Sequence, residues 1–156
     1  MSPTTRSVGT TVNGLYVLRL ELREDLQLTV GALGAVQLRP GDYLYVGSAR
    51  RGLEQRVGRH LRKEKPLHWH IDYLTSQPSC EVASAVLFPH APFSECALCR
   101  ELQQRLDATV PVRGFGASDC RAGCGAHLVR LPRHAGDAEI RAAGANLESA
   151  LHQRQP

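Results

Sequence analysis

Short alternating runs, joined by very short connections, fill residues 14 to 47 and constrain the fold more than any other feature of the chain. The runs at 14–22, 26–30, 35–38 and 42–47 alternate apolar with polar residues or carry β-branched and aromatic side chains, as strands do. The segments between them hold only three or four residues. Parallel strands need a helical crossover of a dozen residues or more, so we predict an antiparallel meander.

Helical spacing and turn signals define the rest of the chain. Leu53, Val57 and Leu61 recur every four residues and predict an amphipathic helix over 53–63, which Pro66 ends. The same criteria predict a helix over 68–76, a buried strand over 81–88, a helix capped by Ser94 and running to 106, a strand over 126–131 and a helix over 137–153.

These elements predict an α+β fold in which a small antiparallel sheet is flanked by helices. A length of 156 residues suits one domain, which we place at 13–156 behind a flexible N-terminus at 1–12. No run is long enough to span a bilayer, and the N-terminus lacks the apolar core of a signal peptide. We therefore expect a cytoplasmic protein with no membrane partner, and the sequence leaves its oligomeric state open.

Basic residues are concentrated between positions 50 and 65 of a chain whose net charge is +4. Such a cluster suits a polyanion, because neutralising phosphates releases their counterions. The alternative is a solvated helix face with no ligand. On the first interpretation the residues that contact nucleic acid are Arg50, Arg51, Arg59, Arg62, Lys63 and Lys65.

Four side chains near the middle of the chain suit chemistry on a phosphodiester. Tyr16 and Tyr45 lie on different predicted strands, and Arg56 and His60 lie one turn apart on the predicted helix. A phenol can orient or deprotonate water, a guanidinium can hold a phosphate oxygen, and an imidazole can exchange a proton. The alternative is that the tyrosines pack within the sheet and that Arg56 is an ordinary surface residue.

The segment from His68 to Asp72 opens the predicted second helix. His68 and His70 diverge on a helix because they are two positions apart, so they make a poor metal pair. We predict that Trp69 packs in the core and that His70 or Asp72 lies beside the pocket.

At these residues the chain resembles a known superfamily. Gly14-Leu15-Tyr16 and Tyr45-Val46-Gly47, followed by Arg56 and His60, resemble the signature of the GIY-YIG nucleases. The longer string from Gly52 to Leu74, which ends in HWHIDYL, looks like the Uri-type branch, long classed as a domain of unknown function. The resemblance runs from Gly14 to about Leu131 and implies a three-stranded antiparallel core, with an added hairpin between Leu22 and Pro40.

The resemblance also implies roles for individual residues. Tyr16 would activate the attacking water with help from Tyr45, Arg56 would stabilise the developing charge, and His60 would accept a proton. One glutamate would hold a catalytic Mg²⁺ or Mn²⁺; Glu95 is preferred because its surroundings resemble the Uri motif, and Glu101 is the alternative. The superfamily's late asparagine has no clear counterpart. The residues expected to support the site are Gly47, Ser48, His70, Asp72 and Asp119.

The five cysteines are an odd number without secretory context, which argues against a disulfide framework. A structural Zn²⁺ is one interpretation, and ordinary buried thiols are the other. The zinc ligands would be drawn from Cys96, Cys99, Cys120, Cys124 and His127.

Three functions therefore compete at this point. The first is a metal-dependent endonuclease that hydrolyses phosphodiester bonds in nucleic acid, with DNA preferred as the substrate. The second is a non-catalytic nucleic-acid-binding module on the same fold. The third is a zinc-stabilised scaffold for protein partners.

Overall fold

A computed structural model describes residues 12–116 and 125–153 of the chain. The predicted α+β class is confirmed, because the described residues combine antiparallel strands with four helices. In chain order the elements are β1 (Gly14–Leu22), β2 (Leu26–Val30), a short 3-10 turn (Gly31–Leu33), β3 (Gly34–Leu38), β4 (Gly41–Ala49), α1 (Leu53–Leu61), α2 (His70–Thr75), β5 (Cys80–Pro89), α3 (Glu95–Leu106), β6 (Leu128–Arg130) and α4 (Asp137–Gln153).

The strands form two separate sheets. The larger has the order β5-β1-β4-β6 with antiparallel pairing throughout, and among the described strands β2 pairs only with β3. The predicted meander is therefore wrong. Both edges of β1 are already occupied along their length by β4 and β5, so β2 has no edge to join. Leu22 and Gly41 face each other across β1 and β4, and the β2–β3 hairpin is inserted between them.

Alternation along β1 divides the interior into two cores. Tyr16, Leu18 and Leu20 point to the face covered by α1, α2 and the hairpin. Leu15 and Val17 point to the opposite face, which α3 and α4 cover. Because successive strand residues project to opposite sides, one strand serves both cores.

The first two helices are shorter than the sequence predicts. α1 ends at Leu61, where the Arg62 backbone is extended and the Lys65 ammonium group donates to the carbonyl of His60 at 3.1 Å. α2 begins at His70 because the backbone N–H groups of His68 and Trp69 both donate to Asp72 Oδ2 instead of entering a helix. Side chains satisfy the end groups of each helix and so fix its limits.

The β2–β3 hairpin packs beside α2. Its inner side chains Val30, Val36 and Leu38 are buried in the same core as Tyr16. Its outer residues, such as Gln27 and Gln37, are exposed, as expected for a two-stranded sheet with one covered face. Among the described residues, no helix has the length and apolar character needed to cross a membrane.

Candidate active site

The position of Tyr16 depends on a glycine in the neighbouring strand. Tyr16 on β1 lies directly opposite Gly47 on β4, and its ring crosses the space that a side chain at position 47 would fill. A Cβ atom at Gly47 would lie 2.4 Å from both Cζ and Oη of Tyr16. The absence of a side chain at Gly47 therefore lets the Tyr16 ring lie over β4, with its hydroxyl within reach of α1.

Tyr16 meets His60 across the interface between β1 and α1. The phenol oxygen and His60 Nε2 are 2.6 Å apart, and both side chains are buried. Tyr45 lies on the same face of the sheet, with its ring centroid 6.4 Å from that of Tyr16 and 6.2 Å from that of His60. The predicted juxtaposition of the two tyrosines with His60 is therefore present.

Burial keeps both members of this hydrogen bond neutral in the free protein. It raises the pKa of Tyr16 well above its ordinary value, and the positive charge of Arg56 only partly offsets that effect. It lowers the pKa of His60 to about 4, helped by the charge of Lys65 and opposed by that of Asp72. At neutral pH the pair is thus a phenol next to a neutral imidazole.

Arg56 links α1 to the end of β4 and to the start of α2. Its Nη1 donates to the Ser48 carbonyl at 3.1 Å, and its guanidinium carbon lies 4.4 Å from the centre of the Trp69 ring. The Arg59 guanidinium lies 4.5 Å from the same ring. The prediction of Trp69 as a core residue is wrong: the residue is 37% exposed, and its ring holds two guanidinium groups by cation–π contact.

Glu95 lies at the same end of the sheet as Arg56, but on the face opposite to Tyr16. It is the first residue of α3, whose N-terminus is capped by Ser94. Ser48 Oγ donates to Glu95 Oε2, and His127 Nδ1 lies 3.0 Å from Oε1. The backbone carbonyl of His127 accepts from Val46 N, which ties this histidine to β4. We call Glu95, Ser48 and His127 the Glu95 group.

The Glu95 carboxylate is set up to remain ionised. Burial opposes its negative charge, but hydrogen bonds from His127 and Ser48 outweigh that cost and hold the pKa of Glu95 below its ordinary value. The alternative residue, Glu101, lies two turns further along α3 and faces α4. Its carboxylate accepts from Asn146 and lies 3.8 Å from Arg105, so it takes no part in the Glu95 group.

Asp72 is a buried carboxylate at the junction of α1 and α2. It accepts two hydrogen bonds from Arg59, at 2.7 and 3.0 Å, and its Oδ1 lies 4.0 Å from His60 Nδ1. His70 lies nearby, where its Nδ1 accepts from the backbone of Gly116 at 2.9 Å. Asp119 falls outside the described residues, so its prediction stays open.

The predicted nucleic-acid contacts divide into two groups. Arg50, Arg51 and Arg62 are exposed on the α1 side of the molecule. Lys63 instead donates to the carbonyls of Thr75, Gln77 and Cys80, and Lys65 donates to those of Arg59 and His60 and to the Thr75 hydroxyl. Arg59 is held by Asp72. Lys63, Lys65 and Arg59 therefore bind groups of the protein itself.

The zinc prediction is only partly accessible to the structure. Cys120 and Cys124 lie outside the described residues. Cys96 and Cys99 are buried, and Cys99 Sγ donates to the Ala126 carbonyl at 3.2 Å. Within the described part of the chain, no three side chains of His, Cys, Asp or Glu are grouped so as to hold a metal ion. His127, predicted with the cysteines, lies against Glu95.

Sequence reasoning missed two features of this site. The first is the contact between His127 and Glu95, which no spacing signals because the two residues come from distant segments. The second is Trp69 as a support for Arg56; the signal for it was the basic helix that directly precedes the tryptophan, since arginine stacks readily on aromatic faces.

Comparison with known proteins identifies the family of this chain. A family model described as "Domain of unknown function DUF123" matches residues 15–149, a span that includes Tyr16, the Glu95 group and most of α4. No curated protein and no solved structure matches the chain. Because the matched span covers most of its length, the chain belongs to the DUF123 family.

Proposed function

We propose that the protein is a metal-dependent endonuclease of the GIY-YIG type, of the Uri branch, which hydrolyses phosphodiester bonds in DNA. One observation carries this proposal. The buried 2.6 Å hydrogen bond between Tyr16 and His60 lies at the same end of the sheet as Arg56 and Glu95. A proton relay, a cation and an ionised carboxylate are the groups that hydrolysis of a phosphodiester requires.

In the proposed reaction the water oxygen attacks phosphorus as the bond to the leaving oxygen breaks. The proton of the water passes to the Tyr16 oxygen while the phenol proton passes to His60 Nε2. The departing alkoxide takes a proton from solvent, and His60 afterwards releases its added proton to solvent. This route avoids a free phenolate, which burial of Tyr16 strongly disfavours. Tyr45 is buried beside both rings and helps to hold the Tyr16 phenol in place.

Arg56 is the group assigned to the negative charge that develops on the phosphate. Its guanidinium is held on one side by the Ser48 carbonyl and on the other by the Trp69 ring, so little side-chain entropy remains to be lost on binding. A fixed cation next to Tyr16 stabilises the transition state more than the ground state, because the charge on the equatorial oxygens grows as the bonds exchange.

Glu95 fits a divalent cation such as Mg²⁺ or Mn²⁺. Its carboxylate is ionised and part-exposed, and Ser48 and His127 each engage one oxygen, which leaves lone pairs for a hard cation. One protein carboxylate with water and phosphate oxygens completing the shell suits Mg²⁺, which keeps much of its hydration. When bound, such an ion supplies positive charge that lowers the pKa of nearby water and polarises the phosphate.

The direct test is cleavage of labelled single- and double-stranded DNA with Mg²⁺, with Mn²⁺ and with EDTA. We expect cuts only with metal, and losses of about 10²-fold or more in Tyr16→Phe, Arg56→Ala and Glu95→Gln. Glu101→Gln is the matched control, since Glu101 lies on the same helix but faces α4, and it should cut like the wild type.

Intact DNA under all these conditions would overturn the nuclease proposal. If the same preparations shift DNA in a gel in a salt-sensitive manner, the second candidate function, a nucleic-acid-binding module, takes its place. The exposed Arg50, Arg51 and Arg62 favour that candidate, since they offer cations to phosphates without contributing to the relay.

A further inference from the structure

We propose that Asp72 is a positioning residue of the active site, which selects the His60 tautomer that carries its proton on Nδ1 and leaves Nε2 to accept from Tyr16. This inference rests on the proposed function for its role in catalysis. The tautomer itself is a property of the free protein and is tested separately.

The two oxygens of Asp72 are used unequally. Oδ2 accepts from Arg59 Nη2 at 3.0 Å, from His68 N at 2.8 Å and from Trp69 N at 2.9 Å. Among the described residues, Oδ1 accepts only from Arg59 Nη1, at 2.7 Å. A carboxylate has about four acceptor positions, so Oδ1, which faces His60, keeps the spare capacity.

His60 presents its second ring nitrogen to that oxygen. Nδ1 is buried, makes no hydrogen bond to the described residues, and lies 4.0 Å from Asp72 Oδ1. That distance is too long for a hydrogen bond but short for electrostatics in a site without solvent. A proton on Nδ1 points its positive end at the carboxylate. The other tautomer would direct a lone pair at an anion, which is unfavourable at this distance.

The tautomer of His60 decides whether the ring can accept the proton of Tyr16. With the proton on Nδ1, Nε2 has a lone pair 2.6 Å from the phenol oxygen and can take its proton. With the proton on Nε2, His60 could only donate to Tyr16. The positive groups near the ring, Lys65, Arg59 and Arg56, all oppose an imidazolium, and Asp72 favours it. Asp72 therefore both orients the acceptor and stabilises its protonated product.

The tautomer can be read by two-dimensional ¹⁵N NMR of the histidine rings, with His60 assigned by its absence in His60→Gln. We expect a protonated Nδ1 and an unprotonated Nε2 in the wild-type protein near pH 7. An Nε2-protonated His60 in the wild type would overturn the inference, whatever the behaviour of any variant.

Asp72→Asn provides the sharper test. Two backbone donors, His68 N and Trp69 N, favour an oxygen at the Oδ2 position, so the amide nitrogen takes the Oδ1 position, where it gives up the hydrogen bond from Arg59 Nη1 and directs its N–H toward His60 Nδ1. We expect the tautomer to invert and kcat to fall by about 10²-fold with KM little changed. An unchanged tautomer in a folded Asp72→Asn protein would contradict the proposal.

Arg59→Gln is the matched control. It removes the ion pair to Asp72 but leaves the carboxylate bound to the two backbone donors and facing His60. We expect the Nδ1-protonated tautomer to persist, and inversion in this variant would overturn the role of Asp72. If the protein does not cut DNA yet shows the expected tautomers, the proposed function fails and the positioning by Asp72 stands.

Discussion

Gly47 shows how a single residue can determine the shape of the site. In a strand interior glycine normally weakens a sheet, because it adds no side chain to pack. Here that absence makes room for Tyr16, whose ring lies over the Gly47 backbone before its hydroxyl reaches His60. The conformation of Gly47 needs no positive φ, so space alone requires a glycine at this position.

Gly47→Ala should therefore displace the Tyr16 ring. The new Cβ would lie 2.4 Å from Tyr16 Cζ, and we expect a destabilisation of about 1–3 kcal/mol with loss of the Tyr16–His60 contact. Urea denaturation and DNA cleavage measure the two effects. Gly58→Ala is the matched control, because nothing lies within 4 Å of a Cβ at this exposed helical position. It should gain about 0.5–1 kcal/mol, and equal effects of both changes would contradict the steric argument.

The connection between α1 and α2 is stabilised by two lysines whose ammonium groups donate to backbone carbonyls. Lys63 donates to three backbone carbonyls at the end of α2 and the start of β5, and Lys65 donates to carbonyls at the end of α1. An ammonium group has three donors, so each lysine can satisfy several carbonyls that a helix end leaves open. The segment that suggests a nucleic-acid surface in sequence is thus partly a structural element.

Lys63 and Arg62 are adjacent and both exposed, but they should respond differently to loss of charge, because Lys63 donates to backbone carbonyls. Lys63→Met removes the donor to Thr75 and Gln77, and we expect it to lower the free energy of unfolding by about 1–3 kcal/mol. Arg62→Met should leave stability unchanged within about 0.5 kcal/mol and flatten the salt dependence of DNA binding. Denaturant titrations and gel shifts at several salt concentrations measure both. A stable Lys63→Met protein with weakened DNA binding would contradict this division.

At the scale of the whole molecule, the candidate site contains buried ionisable groups that make the fold sensitive to acid. His60 is buried and neutral, with its pKa lowered to about 4 from 6.5. Asp72 and Glu95 are buried to different degrees, and hydrogen bonds hold the pKa of each carboxyl below its ordinary value despite the cost of burial. All three groups bind a proton more readily in the unfolded chain than in the native protein.

Stability should therefore fall as the pH is lowered. Between pH 6.5 and 4 the unfolded chain protonates His60 while the folded protein does not, so the free energy of unfolding should decrease by about 3 kcal/mol. Below pH 4 protonation of Asp72 and Glu95 should lower it further. Urea denaturation at a series of pH values measures this decrease. His60→Gln should flatten the slope above pH 4, the exposed His152→Gln should not, and a pH-independent wild type would contradict the prediction.

Much of the fold could be predicted from the sequence because its determinants are local. Alternation gives the limits of β1 and β2, and the Ser94 cap gives the start of α3. The strand period also places Tyr43 and Tyr45 on one face of β4, whereas Tyr16 joins that face only through the pairing of β1 with β4. Strand pairing could not be predicted in this way, because alternation indicates which residues of a strand share a face but not which strand lies beside it. The predicted meander was wrong for that reason.

The sequence by itself determined which residue types are available for the site and the elements on which most of them lie. Only the tertiary structure decided which partners they meet: His127 beside Glu95, Trp69 beneath Arg56, Lys63 on the end of α2, and Asp72 facing His60. Secondary structure depends on neighbours within a few positions of the chain. These contacts instead join segments brought together by packing on both faces of one sheet, and no local pattern carries that information.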